Sequence, residues 1–427
     1  MAARSAIRVR ASRAALAVAR APDHPLSAGR SSVLLHLRLA LTASLVVALL
    51  ASCAATRSHA RGAGVSHEGT STTSSPPPAT STTTCSNASV LASWPIARRV
   101  AQLVVVPAEE TTLTSALPAV RQGAGGVILF GSSAPPDLAQ QLAALKAQAP
   151  GGVAPMVMTD EEGGQVQRMA NLVGSFSSPR AMATNLRPDA VRELGRTAGH
   201  QLLANGVDVD LAPVLDLASG PGPDARHTDG PRSFSPDAAV ATTYGLGFAQ
   251  GLLAAGVLPV VKHFPGEGQA TANTDDAPAA TPALPALESS DLVPFEEAVH
   301  AQLPAVMVGN ATIPGLTAGP ASLSPAATSD LLGRQLGFGG LVVTDSLSAG
   351  AVRSTGLDVP HAAVRAVAAG ADMVLYDLSA APADIAQVVS QLAAAVGDGT
   401  IPLSRLDDAV GRVLTAKRVH LCQGAHE

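Results

Sequence analysis

The stretch LPVVKHFPGEG, residues 258–268, decides how the rest of the chain is interpreted. Its apolar, valine-rich start predicts a buried β-strand over Leu258–Lys262. The run ends abruptly in Lys262 and His263, and a Pro-Gly turn then starts a polar loop. An apolar strand that carries a cation and an imidazole at its carboxyl end is typical of a strand that opens into a binding site.

The same arrangement recurs along the chain, with Ala/Leu-rich helical stretches such as 189–205 and 237–256 between the apolar runs. Gly206 and Gly256 are placed to end these two helices. Eight β/α units in about 340 residues predict an α/β fold, a (β/α)8 TIM-type barrel in a single domain. The predicted strands are Leu103–Val106, Gly126–Phe130, Pro155–Thr159, Val207–Ala212, Leu258–Lys262, Ala305–Val308, Leu341–Thr344 and Met373–Tyr376.

An open, doubly wound parallel sheet would produce a similar alternation and is the main alternative. The position of the polar residues favours the barrel, because Asp160, Asp216, His263, Asn310 and Asp345 come at or just beyond the ends of five different predicted strands. In an open sheet these residues would be spread along an edge too long for one pocket. Closure of the sheet would bring them together.

The composition excludes some classes of function. The chain has 427 residues, of which 47% are hydrophobic, and a formal net charge of −5. This charge provides no basic field for nucleic acid, and an aromatic content of 2% argues against base-stacking surfaces. Neither the cysteines nor the eleven histidines have metal-ligand spacing, so we expect no cofactor and no metal.

The N-terminus predicts export. Arginines precede an apolar run at 39–50, which is too short for an ordinary transmembrane helix and ends in small residues before Cys53. This pattern resembles a bacterial lipobox, so residues 1–53 are predicted to be a lipoprotein signal peptide with Cys53 lipidated. The alternative is an ordinary signal peptide that contains a cysteine. The Ser/Thr/Pro-rich segment 54–89 is predicted to be a disordered tether, and 90–427 the folded domain outside the cytoplasmic membrane.

Cys85 and Cys422 bracket the folded region. An exported protein meets oxidising conditions, so we expect these two cysteines to form a disulfide if the ends of the domain lie close together. The alternative is two free thiols.

Two carboxylates stand out chemically. Asp160 follows a buried strand and could accept hydrogen bonds from adjacent hydroxyls of a sugar ring, with Lys262 and His263 donating to others. Asp345 emerges from the apolar run 341–344. The alternatives are a solvated surface loop for Asp160, a surface Lys-His pair, and a helix N-cap for Asp345.

The stretches 156–168, 205–216, 231–235, 261–268 and 341–347 resemble, in order, motifs of bacterial β-N-acetylglucosaminidases of glycoside hydrolase family 3. The resemblance runs from about Trp94 to Arg418. It implies removal of terminal β-linked GlcNAc from cell-wall fragments with retention of configuration, by a monomer. It also implies Asp345 as the nucleophile and a sugar subsite formed by Asp160, Arg168, Arg232, Lys262 and His263. For Arg232, a surface arginine is the alternative.

The chain departs from the family at its proton-transfer residues. The family's Asp-x-His acid/base dyad aligns with Asn273 and Asp275. The histidine of its Pro-Gly-His turn is Glu267 here, and the histidine often found after the sixth strand is Asn310.

Three outcomes follow from this departure. Asp275, Asp276 or Glu267 could replace the missing acid, which requires a raised pKa. The enzyme could instead favour substrates with good leaving groups, or transfer to a nucleophile that needs no base. In the third outcome the chain is a catalytically impaired sugar-binding protein on the same fold.

Overall fold

The computed structural model describes residues 86–379 and 385–424. The chain divides into two units, Met1–Ala79 and Thr80–Glu427, and all described residues belong to the second. The predicted signal peptide, Cys53 and Cys85 therefore lie outside the described residues.

The described chain alternates parallel strands with helices. The strands are β1 Val104–Glu109, β2 Gly126–Phe130, β3 Met156–Thr159, β4 Glu161–Gly163, β5 Val166–Gln167, β6 Val209–Asp210, β7 Leu258–Pro259, β8 Val261–Phe264, β9 Ala305–Val308, β10 Leu341–Thr344 and β11 Val374–Leu375. The helices are α1 Asn87–Leu91, α2 Ile96–Ala101, α3 Leu117–Arg121, α4 Leu138–Lys146, α5 Ala170–Val173, α6 Pro179–Asn185, α7 Pro188–Ala204, α8 Ala238–Ala255, α9 Leu284–Glu288, α10 Val293–His300, α11 Gly350–Arg353, α12 Val359–Ala369, α13 Ile385–Gly397 and α14 Leu403–Ala416, with a π-helical segment at Ala326–Gln335.

The main strands form two parallel groups. Six of them pair in the order β11-β1-β2-β3-β6-β7 and three in the order β10-β9-β8, while β4 and β5 form a separate antiparallel hairpin. Only Val260 separates β7 from β8. An isolated parallel bridge joins Val343 of β10 to Met373, the residue before β11. The result is a parallel α/β arrangement of the TIM-like barrel type, as predicted.

Each of the eight predicted strand positions contains an observed strand, although the bounds of several differ and the fourth and fifth strands differ in form. The fourth is only Val209–Asp210 rather than 207–212, and the fifth is split into β7 and β8. Proline accounts for the split, because Pro259 at the end of β7 has no N–H group to donate to a neighbouring strand. The hairpin of β4 and β5 was not predicted. It follows Asp160 directly and uses Gly163 and Gly164, both at positive φ, to turn.

Helices α7 and α8 confirm the predicted helices within one residue at each end. Gly256 ends α8 in the left-handed conformation, with φ of 99°. Among the described residues, α8 is the one helix long and apolar enough to cross a membrane by length and composition. It packs tightly on α7, since a Cβ added at Gly251 would lie 2.1 Å from the backbone oxygen of Arg192.

The last residues of the segment that we predicted as a tether, 86–89, belong to the folded domain. Ser86 and Ser89 form a capping box at the start of α1. The Asn87 side chain then accepts from the Leu421 N–H (2.8 Å) and donates to the Val419 oxygen (2.9 Å). The two ends of the described domain therefore touch. Cys422 is disulfide-bonded.

Candidate active site

A cavity of about 290 Å³ lies where the carboxyl ends of the strands converge. Its walls come from residues of β2, β8, β9 and β11 and from the segments that follow β3, β6, β8, β10 and β11. A larger cavity, of about 740 Å³, lies beside α12, and Arg365 is the one charged residue among its lining residues. We place the site in the smaller cavity because the charged side chains gather there. Its charged and titratable lining residues are Asp160, Glu162, Arg168, Arg232, Lys262, His263, Asp275, Asp345 and Asp377.

Lys262 is the centre of a buried ion network. Its Nζ donates to Asp160 Oδ1 (2.6 Å) and lies 2.8 Å from Glu162 Oε1. Burial acts to raise the pKa of Asp160, but the Lys262 and Arg168 charges outweigh it and lower that pKa. Asp160 therefore stays ionised. Asp160 and Lys262 are both buried, so the interpretation of either as a solvated surface charge is wrong.

Arg232 joins the same network. Its Nε and Nη2 donate to the two Glu162 oxygens at 2.8 Å each, a bidentate pair, and its Nη1 donates to the Thr228 oxygen (3.2 Å). Burial acts to raise the pKa of Glu162, but the charges of Arg232 and Lys262 lower it overall. Arg232 has a side chain only 14% exposed, so it is not a surface arginine. Glu162 was not predicted as a site residue.

Arg168 is the most exposed cation of the set. Its Nη2 lies 3.7 Å from Asp160 Oδ2, and its guanidinium carbon lies 5.6 Å from the centre of the Phe130 ring. The Arg168 guanidinium therefore lines the cavity, and its salt bridge to the Asp160 carboxylate is long.

His263 is held by a buried aspartate. Its Nδ1 lies 2.6 Å from Asp216 Oδ2, and Asp216 Oδ1 also accepts from the Glu267 N–H (2.7 Å). Burial lowers the pKa of His263 to about 4, so the imidazole is neutral at neutral pH. Because Asp216 accepts from backbone N–H groups, we place the ring proton on Nδ1. The Nε2 atom is then an acceptor for a ligand hydroxyl.

Within residues 86–379 and 385–424, one set of side chains could offer ligands to a metal. Single donor atoms of Asp216, Asp229 and His263 lie within 4.8 Å of one another. The sequence did not predict this group. Burial raises the pKa of Asp216 and of Asp229 to about 7 each. The short contact between His263 and Asp216 indicates a hydrogen-bonded His-Asp pair in the structure as it stands.

Asp345 is fixed at the end of β10. Its N–H donates to the Val308 oxygen (2.9 Å), and its Oδ1 accepts from the Ser346 N–H (2.7 Å). It does not cap α11, whose N-cap residue is Ala349, so the N-cap interpretation is wrong. Burial raises the pKa of Asp345, the His263 ring opposes the rise, and Asp275 adds to it. Asn310 supports this segment by donating Nδ2 to the Ser346 oxygen (2.9 Å).

Of the three candidate replacement acids, only Asp275 is among the residues that line the cavity. Its carboxyl lies at the cavity mouth. Partial desolvation raises the pKa of Asp275, with Asp377, Asp276 and Asp160 adding to the rise and Arg232 opposing it. Glu267 is buried behind the wall, and Asp276 is exposed outside it.

Asp377 is a second site residue that the sequence did not reveal. It follows β11, and its Oδ2 accepts from Ser346 Oγ (2.8 Å) while its N–H donates to Ser348 Oγ (2.9 Å). Burial acts to raise the pKa of Asp377, but these and other hydrogen bonds lower it overall. Asp377 directly follows the last predicted strand. The rule that identified Asp345, a carboxylate at the carboxyl end of an apolar strand, could therefore have identified it as well.

The comparisons with known proteins agree with this geometry. Residues 96–416 match the model of the glycosyl hydrolase family 3 N-terminal domain. The chain is 38% identical over 328 residues to the β-hexosaminidase LpqI of Mycobacterium tuberculosis, which covers 75% of this chain and 82% of the relative. The solved structure titled M tuberculosis LpqI superposes with a TM-score of 0.71 at 36% identity, covering 78% of this chain and 96% of that chain.

Two further relatives agree. The crystal structure of a β-N-acetylhexosaminidase from Beutenbergia cavernae is 32% identical with a TM-score of 0.70, covering 77% of this chain and 100% of that chain. A protein named an uncharacterized secreted glycosyl hydrolase, from Arthroderma benhamiae, is 33% identical over 299 residues, 68% of this chain and 83% of its own length. The chain therefore belongs to glycosyl hydrolase family 3 and is a glycosidase of the β-hexosaminidase type.

Proposed function

We propose that the protein removes terminal β-linked GlcNAc from peptidoglycan fragments with retention of configuration. The observation that carries the proposal is that two carboxyl groups, Asp345 and Asp275, line one cavity together with the Asp160–Lys262 ion pair. A retaining glycosidase needs two carboxyl groups of this kind, one as nucleophile and one as acid/base.

The ion network binds the sugar in this proposal. Asp160 stays ionised and accepts hydrogen bonds from ring hydroxyls, while Lys262 and Arg168 donate to them. The neutral His263 ring accepts from a hydroxyl at Nε2. Arg232 lines the same cavity and, through Glu162, fixes the position of Lys262. The sugar-binding groups are therefore pre-organised before the substrate arrives.

The reaction then takes two steps. In the first, Asp345 attacks the anomeric carbon, the bond to the leaving oxygen breaks, and Asp275 gives its proton to that oxygen. In the second, a water molecule attacks the same carbon, Asp275 takes a proton from the water, and the ester to Asp345 breaks. The raised pKa of Asp275 supports its role as the acid, since it must start the cycle protonated.

The architecture we propose is a closed (β/α)8 barrel in a single domain, residues 86–427, acting as a monomer. The contiguity of β7 with β8 and the bridge between Val343 and Met373 support closure, since together they would connect the two strand groups at both edges. The shared cavity is a further argument, because residues in or directly after seven of the parallel strands line it.

The location we propose is outside the cytoplasmic membrane, with residues 1–53 as signal peptide, Cys53 lipidated and 54–85 as the tether. The apolar run at 39–50 and the small residues before Cys53 support this. A relative whose name calls it secreted also supports export.

The test is intact-protein mass spectrometry after mixing wild type and Asp345→Ala with an activated aryl β-N-acetylglucosaminide, while aryl release is followed. We expect aryl release and a sugar adduct on Asp345 in wild type alone. Hydrolysis of an unactivated GlcNAc disaccharide by wild type would then show that a proton donor operates. Binding of GlcNAc without any release or adduct would overturn the proposal in favour of the impaired sugar-binding protein.

A further inference from the structure

Glu267, behind the cavity wall, hydrogen-bonds two other segments of the site. It is 1% exposed, and its Oε1 accepts from the Ala311 N–H (2.6 Å), which belongs to the segment after β9. Its Oε2 accepts from Thr274 Oγ1 (3.2 Å) in the turn that carries Asp275. One side chain therefore connects the loops that follow two neighbouring strands.

The turn 273–277 has its main chain fixed from the other side. The Asp275 oxygen accepts from the Gly350 N–H (2.8 Å), and the Thr274 oxygen accepts from the Ala351 N–H (2.9 Å), so the turn rests on the start of α11. Asn273 Oδ1 accepts from the Asp275 N–H (3.1 Å) and closes the turn. These contacts hold the backbone, but they leave open which of its side chains point inward.

The Thr274 side chain is the one that contacts Glu267. Thr274 is 2% exposed, and its hydroxyl points at Glu267, while its neighbour Asp275 is exposed at the cavity mouth. If Thr274 lost its inward partner, the turn could rotate and carry the Asp275 carboxyl away from a leaving oxygen. A misplacement of about 1 Å far from the chemistry can reduce a rate by about 10²-fold.

The position of Glu267 is itself sharply defined. A Cβ added at Gly309 would lie 2.1 Å from Glu267 Oε1, so the carboxyl packs directly against the backbone of the segment after β9. Among the described residues no cation forms a salt bridge with Glu267. Burial, with Asp345 nearby, raises its pKa well above the usual range, which favours a neutral carboxyl.

We propose that Glu267 and Thr274 are positioning residues, which act on the reaction by holding the turn 273–277 so that Asp275 faces the cavity. This inference rests on the proposed role of Asp275 as the acid/base. In this inference Glu267 holds the turn in position and does not donate the proton, a role that the sequence had left open for it.

The experiment compares two pairs of variants, Thr274→Val with Thr274→Ser, and Glu267→Ala with Glu267→Gln. Each is assayed as kcat/KM on an activated aryl β-N-acetylglucosaminide, whose departure needs no proton, and on an unactivated GlcNAc disaccharide. Thermal unfolding of every variant confirms folding.

We expect Thr274→Val to lose about 10- to 10²-fold on the disaccharide, and less than about twofold on the aryl glycoside. Thr274→Ser restores the hydroxyl and should restore the rate. Glutamine keeps an oxygen for the Ala311 N–H and an NH₂ for Thr274, so Glu267→Gln should rescue the loss seen in Glu267→Ala.

Two results would overturn the inference. One is an equal loss on both substrates, or no loss on either, in a folded Thr274→Val variant. The other is a disaccharide rate in Glu267→Gln as low as in Glu267→Ala, which would make Glu267 the proton donor. Asp275→Asn is measured in parallel, so that failure of the positioning inference can be told apart from failure of the proposed acid/base role of Asp275. If it retains full disaccharide hydrolysis, the assignment of Asp275 is wrong and the inference falls with it.

Discussion

Lys262 Nζ lies 2.6 Å from Asp160 Oδ1, although the two residues are 102 positions apart in sequence. Both side chains are buried, and Glu162 shares the same ammonium at 2.8 Å. Three charges removed from water hold one another in place, so loss of the single cation leaves two buried carboxylates without their shared partner.

Lys262→Met should therefore lower the free energy of unfolding by about 3–5 kcal/mol, as is usual when one partner of a buried pair is removed. Urea denaturation measures this. The matched control is Lys146→Met, because the Lys146–Asp208 pair is partly exposed, with side chains 23% and 38% accessible. The control should cost about 0–1 kcal/mol. Equal losses of unfolding free energy in the two variants would show that the buried ion network stabilises the fold no more than a partly exposed ion pair does.

Asp275→Asn should separate the two classes of substrate. Without the acid, kcat/KM for an unactivated disaccharide should fall by about 10²–10⁴-fold. The value for an activated aryl glycoside should change little, since that leaving group departs without a proton. Steady-state kinetics on both substrates measures the difference. The control is Asp276→Asn, the neighbouring carboxyl that is exposed outside the cavity. Its charge only adds to the raised pKa of Asp275, so well below the alkaline limb of the pH profile this variant should keep most of the disaccharide rate and all of the aryl rate. A loss of disaccharide hydrolysis in Asp276→Asn, with none in Asp275→Asn, would identify Asp276 as the acid.

The pH profile of kcat/KM should be bell-shaped. The rate should rise as Asp345 ionises and fall as Asp275 loses its proton, although two interacting carboxyl groups titrate as a pair. Burial raises the pKa of both carboxyl groups, the Asp275 charge adds to the rise at Asp345, and Arg232 opposes the rise at Asp275.

Asp377→Asn tests the assignment of the alkaline limb. Asp377 is an anion that raises the pKa of Asp275, so its neutralisation should lower that pKa and move the alkaline limb to lower pH. The acid limb should move much less. Asp398→Asn, an exposed carboxyl after α13, is the control. An alkaline limb that stays in place in Asp377→Asn would show that a group other than Asp275 sets it.

A disulfide between Cys85 and Cys422 should stabilise the domain. Cys422 is disulfide-bonded, and the hydrogen bonds of Asn87 to Val419 and Leu421 bring the two ends of the domain together. Cys422→Ser should lower the free energy of unfolding by about 2–5 kcal/mol. Peptide mapping without reduction should recover Cys85 and Cys422 in one linked peptide. Recovery of Cys85 as a free thiol would contradict the pairing.

The sequence by itself determined the order of strands and helices and the face on which the chemistry lies. Apolar runs without alternation indicate parallel strands buried on both sides, and Asp160, His263 and Asp345 follow three of them. These are local signals, since a residue at the carboxyl end of a strand is placed by the strand itself. The signal fails at irregular segments. Pro259 split a strand that was predicted whole, and the hairpin of β4 and β5 carried no periodicity of its own.

Only the tertiary structure decided which carboxyl groups face the cavity. Within the eleven-residue span 266–276 the sequence offered Glu267, Asp275 and Asp276, and it favoured Asp275 only because that residue aligns with the second position of the family dyad. The selection of Asp275 depends on contacts with Ala311 and Gly350, residues far along the chain. Glu162 and Asp377 became site residues in the same way, through Arg232 and Ser346. A turn has no repeating geometry that fixes where its side chains point. Their direction is set by the long-range hydrogen bonds and packing that exist only once the chain has folded.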